Sequence, residues 1–207
     1  MRQLLATQKG LGHRGNHLMK KIYRINKIFF SIQGEGKRVG TPQVFVRFSG
    51  CNMKCPFCDT DHEPFDEMTA EQIVQTSLSI AGNCRSVSFC GGEPTLQLDD
   101  ELIKAFDGWY KSIETNGTHK VPQGIDYIVC SPKTSRIEPD NIDELRFVIK
   151  AGDPLPTPCK TAKRMCLSPC FDGDNLVKEN LYHCIKLVQE NPSWLLSLQW
   201  HKFIGIE

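Results

Sequence analysis

Short runs of β-branched and aromatic residues recur along the chain, separated by segments whose apolar residues repeat at helical spacing. Runs of this kind are typical of strands that are buried on both faces of a sheet. They predict strands at residues 44–48, 86–90, 111–115, 127–130, 145–149, 165–167 and 195–199.

The segments between these runs predict three helices. Thr69 is placed to cap the first helix, with Gln72 at the capping-box position and Gly82 at its end. The second helix is predicted over residues 99–108. The third stops at Asn191-Pro192, because proline cannot continue a helix. Its single apolar stripe consists of Val177, Leu181, Cys184, Ile185 and Val188.

Strands that alternate with helices of this length indicate an α/β fold. We expect a parallel sheet with helices packed outside it, either as a barrel or as an open doubly wound sheet. Both architectures bind ligands at the C-terminal ends of the strands. Residues 19–207 are predicted to form one domain. Residues 1–18 lack a sustained period and are expected to be a disordered extension, with Met19 as a candidate start.

Charge and composition narrow the classes of partner. The chain has 25 Lys and Arg against 24 Asp and Glu, so no net field attracts it to nucleic acid or to an anionic membrane. No apolar run approaches the roughly 20 residues of a membrane-spanning helix. The N-terminus also lacks the apolar core of a signal peptide. We therefore expect a cytoplasmic protein. In that reducing compartment, clusters among its ten cysteines are interpreted first as metal ligands or redox groups and only then as disulfides.

Three cysteines stand in the loop that follows the strand at residues 44–48. Cys51, Cys55 and Cys58 have the spacing Cys-x3-Cys-x2-Cys. A structural zinc site takes four protein ligands, and His62 could supply the fourth. An iron–sulfur cubane can use three thiolates and leave one iron open to another ligand. The spacing alone leaves both metals possible.

The surroundings of these cysteines resemble the radical S-adenosylmethionine (SAM) superfamily. Its three-cysteine signature carries an aromatic residue, here Phe57, before the last cysteine, and its open iron is chelated by the methionine end of SAM. Gly91-Gly92-Glu93-Pro94 follows the predicted strand 86–90 and resembles the second signature of the superfamily. Alone, such a stretch is usually a turn; one helix after the cysteines, it supports the resemblance.

A more specific resemblance covers residues 29–207. The chain is similar to the 7-carboxy-7-deazaguanine synthase family at residues 30–36, 40–42, 44–52, 58–60, 114–118, 131–133 and 201–205. The resemblance implies a homodimeric, modified and incomplete (β/α) barrel of the radical SAM type with about six parallel core strands. It also implies a carbon–nitrogen lyase that converts 6-carboxy-5,6,7,8-tetrahydropterin to 7-carboxy-7-deazaguanine by radical ring contraction with loss of ammonia, in deazapurine (queuosine-type) biosynthesis.

The same resemblance implies three groups of site residues. The pterin substrate is expected at Ile32, Gln33, Gly34, Glu35, Arg47, Cys90, His201 and Glu207. SAM is expected at Phe57, Cys58, Asp59, Gly92, Ser131, Pro132, Lys133, Ser168, Pro169, Cys170 and Phe171. The [4Fe–4S] cluster is expected on Cys51, Cys55 and Cys58, and Mg²⁺ on Thr60. Two positions depart from the family: Cys90 stands where threonine is usual, and the Ser168–Phe171 turn replaces a Gln-Pro form.

The alternation of side chains along a strand gives a physical reason for the role expected of Arg47. If the strand at 44–48 lies in the barrel wall, Val44, Val46 and Phe48 face the helices, while Phe45 and Arg47 face inward. A buried guanidinium needs an anion, which the family supplies as the substrate carboxylate. A salt bridge to a nearby Asp or Glu is the alternative. At the chain's end, the apolar residues of 201–207 are expected to fold back onto the domain.

The implied mechanism starts with one electron from a flavodoxin-type reductant, which leads to a 5′-deoxyadenosyl radical that takes hydrogen from the pterin. Two other classes share features of the sequence. A glycyl-radical activating enzyme has the three-cysteine signature, but it does not explain residues 33–36 or 201–205. A non-enzymatic iron–sulfur or zinc protein would normally close every metal position with protein ligands. A second cluster on Cys159, Cys166, Cys170 and Cys184 is disfavoured by their irregular spacing.

Overall fold

The computed structural model describes residues 20–207, so the extension predicted at residues 1–18 and the candidate start at Met19 lie outside the described residues. One mixed sheet runs through the described part of the chain. Its strands, in chain order, are β1 (Tyr23–Ile32), β2 (Pro42–Phe48), β3 (Asp66–Met68), β4 (Ser86–Gly91), β5 (Tyr110–Thr115), β6 (Tyr127–Cys130), β7 (Glu144–Ile149), β8 (Arg164–Pro169) and β9 (Trp194–Leu196).

The sheet is mostly parallel and open. Its strand order is β3-β1-β2-β4-β5-β6-β7-β8-β9. From β2 to β9 every neighbouring pair is parallel, whereas β1 pairs antiparallel with both β2 and β3. Because β3 and β9 are free edges, the sheet curves without closing. The prediction of an incomplete barrel is confirmed, with β2 and β4 to β8 as its six longer parallel strands and β9 as a short seventh.

Residues 20–207 contain four α-helices: α1 (Ala70–Ala81), α2 (Asp100–Ala105), α3 (Lys178–Glu190) and α4 (Trp200–Ile204). The predicted capping box is confirmed, since the Gln72 N–H donates to the Thr69 hydroxyl and the Thr69 N–H donates to the Gln72 side chain. The second helix, predicted over residues 99–108, ends early at Ala105. No helix within residues 20–207 is long and apolar enough to cross a membrane.

Six of the predicted strands agree with the observed ones within two residues at each end. The last one, predicted over residues 195–199, is wrong in its second half. The last residue of β9, Leu196, pairs with Leu167 of β8. Two residues further along β8 stands Pro169, which has no N–H to continue the ladder, so β9 stops there. The chain then turns into α4, a helix that the sequence did not predict. Ser168 and Pro169, expected in a turn, instead complete β8.

Strand β1 was missed altogether. Only Tyr23 and Ile25 of its ten residues are buried. Arg24 and Lys27 interrupt the apolar run, so the segment shows neither a clear alternation of polar and apolar residues nor a continuous apolar run. Ile32, expected in a loop, is the last residue of this strand. The three residues of β3, Asp66, Glu67 and Met68, carry no strand signal either.

The parity predicted for β2 is confirmed. Val44, Val46 and Phe48 are completely buried in the main core between the sheet and the helices α1 and α2. Phe45 and Arg47 point to the other side, into the concave interior of the open barrel. The fold therefore presents one set of alternating side chains to the core and the other set to a cleft.

Candidate functional site

A cleft of about 1160 Å³ opens at the C-terminal ends of the parallel strands. Parallel strands all end at the same edge of a sheet, so side chains that are far apart in sequence converge there. The volume is larger than the roughly 300–1,000 Å³ typical of one small ligand and leaves room for two. Every residue predicted for a substrate, SAM or metal site lines this cleft, with the exception of Pro132.

The three cysteines lie in the loop between β2 and β3. Cys51 and Cys55 are half-buried, and Cys58 is exposed. The loop is closed by the Cys58 N–H, which donates to the Cys55 carbonyl at 3.1 Å, and by the Gly50 N–H, which donates to the His62 carbonyl at 3.0 Å. His62 thus holds the loop through its backbone, and its side chain is not part of the cleft lining.

The arrangement of these thiols bears on the choice of metal. Within residues 20–207, no three His, Cys, Asp or Glu side chains converge on the position of one metal ion. A cubane can use three thiolates and leave one iron open to another ligand, whereas a structural zinc site takes four protein ligands. His62, the candidate fourth ligand, does not line the cleft with the three thiols, so the cysteine loop fits an iron–sulfur cluster better than a closed zinc site.

The glycines after β4 form a cradle beside this loop. A Cβ atom on Gly92 would lie 2.0 Å from the Gly50 carbonyl oxygen and 3.1 Å from the Cys51 Cβ. Gly91 has a φ of +125° and approaches the Phe48 backbone equally closely. Only glycine permits this approach. Glycine at these positions therefore lets the end of β4 pack directly against the cysteine loop, and Gly92 lines the cleft beside it.

Glu93 is the acidic residue of the Gly91-Gly92-Glu93-Pro94 motif, and its hydrogen bonds show why a carboxylate stands there. Its side chain is completely buried and accepts hydrogen bonds from the Thr115 hydroxyl at 2.7 Å and from the Asn116 N–H at 2.6 Å. Its own N–H donates to the Gly50 carbonyl at 3.0 Å. Glu93 thus joins the ends of β4 and β5 to the cysteine loop, and it supports the cradle from behind.

Lys133, in the loop after β6, lies against Phe57 of the cysteine loop. The Lys133 ammonium lies 5.2 Å from the centre of the Phe57 ring. Burial lowers the pKa of Lys133, although the nearby Cys55 thiol opposes that effect. Burial raises the pKa of the Cys55 thiol, which the Lys133 charge opposes in turn. Ser131 and Lys133 follow β6, and the ends of β7 and β8 bring Ser168 to Phe171 beside them.

Arg47 lines the other end of the cleft, and a second cation, Lys27, stands beside it on the neighbouring strand. Arg47 on β2 and Lys27 on β1 are cross-strand partners, and both lie over the Phe29 ring. The Lys27 ammonium is 2.6 Å from both carboxylate oxygens of Glu207, and Arg47 Nη1 is 3.8 Å from Glu207 Oε1. Both of the alternatives for Arg47 therefore remain, because a carboxylate of the chain itself lies nearby. The carboxylate of Glu207 therefore lies between the two cations at this end of the cleft.

Cys90 is the neighbour of Arg47 across the parallel pair of β2 and β4. Burial raises the pKa of its thiol to about 12, although Arg47 acts in the opposite direction. The thiol is therefore neutral at physiological pH. It adds a small polarisable group to the cleft wall without competing for the arginine.

A buried cluster of charges at the cleft wall joins the predicted residues Gln33 and Glu35 to three residues that the sequence did not predict, Glu114, Glu144 and Arg146. Arg146 on β7 pairs with Glu35 at 2.6 Å, with Glu114 at 3.2 Å and with Glu144 at 2.8 Å. Its side chain is 6% exposed. Gln33 completes the cluster, since its Nε2 donates to Glu114 at 3.3 Å and its Oε1 accepts the Glu35 N–H at 3.1 Å.

The acids of this cluster differ in protonation. Burial raises the pKa of Glu114 to about 7; Arg146 opposes the rise, and the charges of Glu35 and Glu144 add to it. Burial acts the same way on Glu144, but Arg146 and the Lys37 N–H outweigh it, so the pKa of Glu144 is lowered. Glu114, which lines the cleft, can thus exchange a proton near neutral pH, whereas Glu144 stays ionised.

The parity argument applied to Arg47 would have found these residues. Glu114 and Arg146 are charged side chains inside predicted strands, at residues 111–115 and 145–149, where burial demands a partner. Their convergence could not be read from the sequence, because it depends on the strand order of the sheet, in which β6 alone separates β5 from β7.

The end of the chain covers one side of the cleft. The Trp200 N–H donates to the Gly34 carbonyl at 2.9 Å, and the His201 ring lies so close to Gly34 that a Cβ there would be 2.1 Å from Nδ1. Burial lowers the pKa of His201. Thr60, predicted as a magnesium ligand, lies at the cleft wall with its hydroxyl 3.4 Å from Asp59 Oδ1. Its role stays a prediction.

Comparisons with known proteins agree with this arrangement. The family model of the Radical SAM superfamily matches residues 45–153. A protein of Bacteroides thetaiotaomicron named 7-carboxy-7-deazaguanine synthase is 40% identical over 88% of this chain and 98% of its own length. Its namesake from Haemophilus influenzae is 38% identical over 92% of this chain and 97% of its own length. The crystal structure of QueE from Escherichia coli has a TM-score of 0.68 at 23% identity, over 87% of this chain and 95% of that one; it supports the fold.

Proposed function

The chain belongs to the 7-carboxy-7-deazaguanine synthase family of radical SAM enzymes, and from this we propose how its cleft binds the reactants. It is a radical SAM lyase of deazapurine biosynthesis that uses a [4Fe–4S] cluster and SAM. The proposed substrate is 6-carboxy-5,6,7,8-tetrahydropterin and the product 7-carboxy-7-deazaguanine. The observation that carries the proposal is the convergence of the three-cysteine loop, Arg47 and the Gln33–Glu35 loop in one cleft.

The residues present fit the cluster and SAM. Cys51, Cys55 and Cys58 would hold the cluster, because their thiols line one end of the cleft beside the Gly92 cradle. The bound cluster and SAM supply the radical that removes a hydrogen atom from the substrate. Around them, the chain excludes water and holds the nucleotide through backbone at Phe57, Cys58, Asp59 and Gly92 and through Ser131, Pro132, Lys133, Ser168, Pro169, Cys170 and Phe171.

The cations at the other end of the cleft suit the substrate carboxylate. Arg47 offers a planar fork of donors, and Lys27 adds a second charge from the neighbouring strand. The neutral Cys90 thiol does not compete for the guanidinium of Arg47, and the substrate carboxylate would share the two cations with Glu207. Glu207 and His201 contribute the last contacts on this side, where α4 covers the cleft.

The charge cluster around Arg146 suits the pyrimidine ring of a pterin. That ring presents N–H donors on its 2-amino group and N3, and carboxylates accept such bonds well. Glu35 and Glu114 are held side by side by Arg146, and Gln33 lies next to them. Ile32 and Gly34 complete this wall. The cluster thus orients the ring while Arg47 fixes its carboxylate.

Four further features belong to the same proposal. Mg²⁺ binds the Thr60 hydroxyl together with substrate oxygens and water, as its preference for oxygen ligands allows. The active form is a homodimer, and the electron comes from a flavodoxin-type reductant. The protein acts in the cytoplasm, in keeping with ten cysteines that are all free thiols.

The test measures 5′-deoxyadenosine and product after anaerobic reconstitution, with SAM and reductant, in three parallel reactions. One contains 6-carboxytetrahydropterin, one contains tetrahydropterin without the carboxylate, and one contains no pterin. We expect 7-carboxy-7-deazaguanine, with 5′-deoxyadenosine above background, only in the first reaction. Turnover without pterin that requires a protein partner would instead favour a glycyl-radical activating enzyme. A protein that takes up one zinc and no iron would contradict both.

A further inference from the structure

The short helix α4 connects parts of the cleft that are far apart in sequence. At its first residue, Trp200, the backbone N–H donates to Gly34 in the loop after β1. Two residues later, Lys202 reaches the cysteine loop at Asp59 and the loop after β8 at Gly173. Phe203 packs edge-on against Phe171 of that second loop, with ring centres 5.9 Å apart.

Lys202 makes the closest of these contacts. Its ammonium is 2.6 Å from Asp59 Oδ2 and 2.8 Å from the Gly173 carbonyl oxygen, and it lies 5.0 Å from the centre of the Phe171 ring. The Lys202 side chain is 6% exposed, whereas the Asp59 side chain is 40% exposed. A buried ammonium is stable only with partners of this kind, so its position is fixed by both loops at once.

The two loops depend on Lys202 for their connection. In the described part of the chain, no hydrogen bond runs directly from the cysteine loop to residues 170–175; the lysine bridges them. Both loops line the same end of the cleft. Asp59 directly follows Cys58, so a shift of Asp59 moves the backbone beside the cluster ligands.

We propose that Lys202 is a positioning residue for SAM: it fixes the cysteine loop and the loop after β8 at the separation that the nucleotide requires. This inference rests on the proposed function and assigns a role to a residue that touches neither reactant in the proposal. Without the ammonium, Asp59 is solvated and the two loops move apart, while the sheet beneath them stays intact.

The experiment compares Lys202→Met with Lys202→Arg and with Lys186→Met. Lys186 is a matched control, since it makes an exposed ion pair with Glu190 on α3, away from the cleft. SAM affinity is measured by equilibrium dialysis on anaerobically reconstituted protein without reductant, so that SAM is not cleaved. We expect Lys202→Met to weaken it by about tenfold, less than for a fully buried pair because Asp59 is partly solvated.

Arginine reaches both acceptors, so Lys202→Arg should restore most of the affinity, and Lys186→Met should match the wild type. The KM for the pterin should change much less than the KM for SAM. A role confined to stability would not produce this difference between the two ligands. If Lys202→Met is too unstable to purify, Asp59→Asn breaks the same pair from its solvated side and takes its place.

Hydrogen exchange gives a readout without turnover. The Cys58 N–H bonds to Cys55, and the Asp172 and Asn175 N–H groups bond to each other's carbonyls, so these amides report on the two loops. Both loops should exchange faster in Lys202→Met, with the strands unchanged. Wild-type SAM affinity and exchange in this variant would overturn the inference. Wild-type protein that binds no SAM would instead overturn the proposed function.

Discussion

The two ends of the cleft are built in different ways. At the substrate end, the buried Arg146 holds three carboxylates, and Gln33 ties the loop after β1 to them. At the cofactor end, Cys58 is exposed, and the cysteine loop is closed by a few backbone hydrogen bonds. At the first end the charges are buried and paired within one cluster. At the second end three thiols stand on a loop whose one ion pair, within the described residues 20–207, is that of Asp59 with the buried Lys202.

This difference suggests a division of tasks: the chain orients the substrate, and the cofactor orders its own binding site. A preorganised polar site holds its ligand with little reorganisation, which suits a ring that must be oriented before it rearranges. A metal site commonly acquires its final order from the metal itself. We therefore expect changes at the cofactor end to remove activity without loss of stability, and changes at the substrate end to affect both.

The largest effect is expected from the cluster ligands. Cys51→Ala, Cys55→Ala or Cys58→Ala should each abolish 5′-deoxyadenosine formation and lower the iron content from about four per chain, the content of one cubane. The urea midpoint of the iron-free protein should stay unchanged, because these side chains add little to the core. Iron analysis, product assay and urea denaturation measure the three quantities.

Cys159→Ala is the matched control for these variants. Cys159 is an exposed cysteine that does not line the cleft, so its loss should leave iron content and activity as in the wild type. A variant without Cys58 that retains full iron and activity would show that the cofactor end has been misassigned.

Arg146→Met should have the next largest effect. It leaves Glu35, Glu114 and Glu144 close together without their cation, and breaking a buried pair in this way costs about 3–5 kcal/mol. The free energy of unfolding from urea titration should fall by that amount, and the pterin KM should rise. Arg136→Met, which removes an arginine from an exposed pair with Glu138, should change the free energy of unfolding by less than about 0.5 kcal/mol. Equal losses in the two variants would refute a special role for Arg146.

Glu114→Gln should change how stability depends on pH. The pKa of Glu114 is raised to about 7 in the folded protein, from 4.5 for an ordinary glutamate. Protonated Glu114 therefore stabilises the fold fully below about pH 4.5, and this contribution is lost as the pH rises to about 7. Melting temperatures of wild type and variant between pH 5 and 8 test this. Relative to the wild type, Glu114→Gln should gain stability with rising pH; a constant difference would mean that Glu114 does not titrate there.

The smallest effect is expected at Cys90. Its thiol is neutral, so Cys90→Ser should change the pterin KM by no more than about threefold, a shift under 1 kcal/mol. Cys90→Asp is the informative contrast, because a carboxylate next to Arg47 would compete with that of the substrate and raise the pterin KM. Equal KM values for the two variants would show that Cys90 does not lie beside the substrate carboxylate.

The sequence predicted the cysteine loop but not the charge cluster around Arg146, for a physical reason. The three cysteines and Gly91-Gly92-Glu93-Pro94 are local patterns whose spacing carries the chemistry. The cluster around Arg146 joins residues from β5, β7 and the loop after β1, and such contacts exist only once the sheet has curved. A charged residue within a predicted strand was the available signal, and it was used for Arg47 alone.

The fold shows the same division. The parallel strands were predicted because they are continuous apolar runs, and the capping box of α1 because it is set by Thr69 and Gln72. Strand β1 was missed because Arg24 and Lys27 interrupt it. Helix α4 was missed because its exposed apolar residues, among them Trp200 and Phe203, have no helical periodicity in so short a segment.

The most direct test of the contrast between the two ends is the affinity of the iron-free protein for 6-carboxypterin, an oxidised analogue that undergoes no radical chemistry. Its dissociation constant is measured for the variant in which Cys51, Cys55 and Cys58 are all alanine and for wild-type protein stripped of iron. We expect the two constants to agree within about twofold, as for sites that share no contacts, because the chain alone builds the substrate end. Loss of 6-carboxypterin binding in the cysteine variant would contradict the account, since the substrate end would then depend on the cysteine loop.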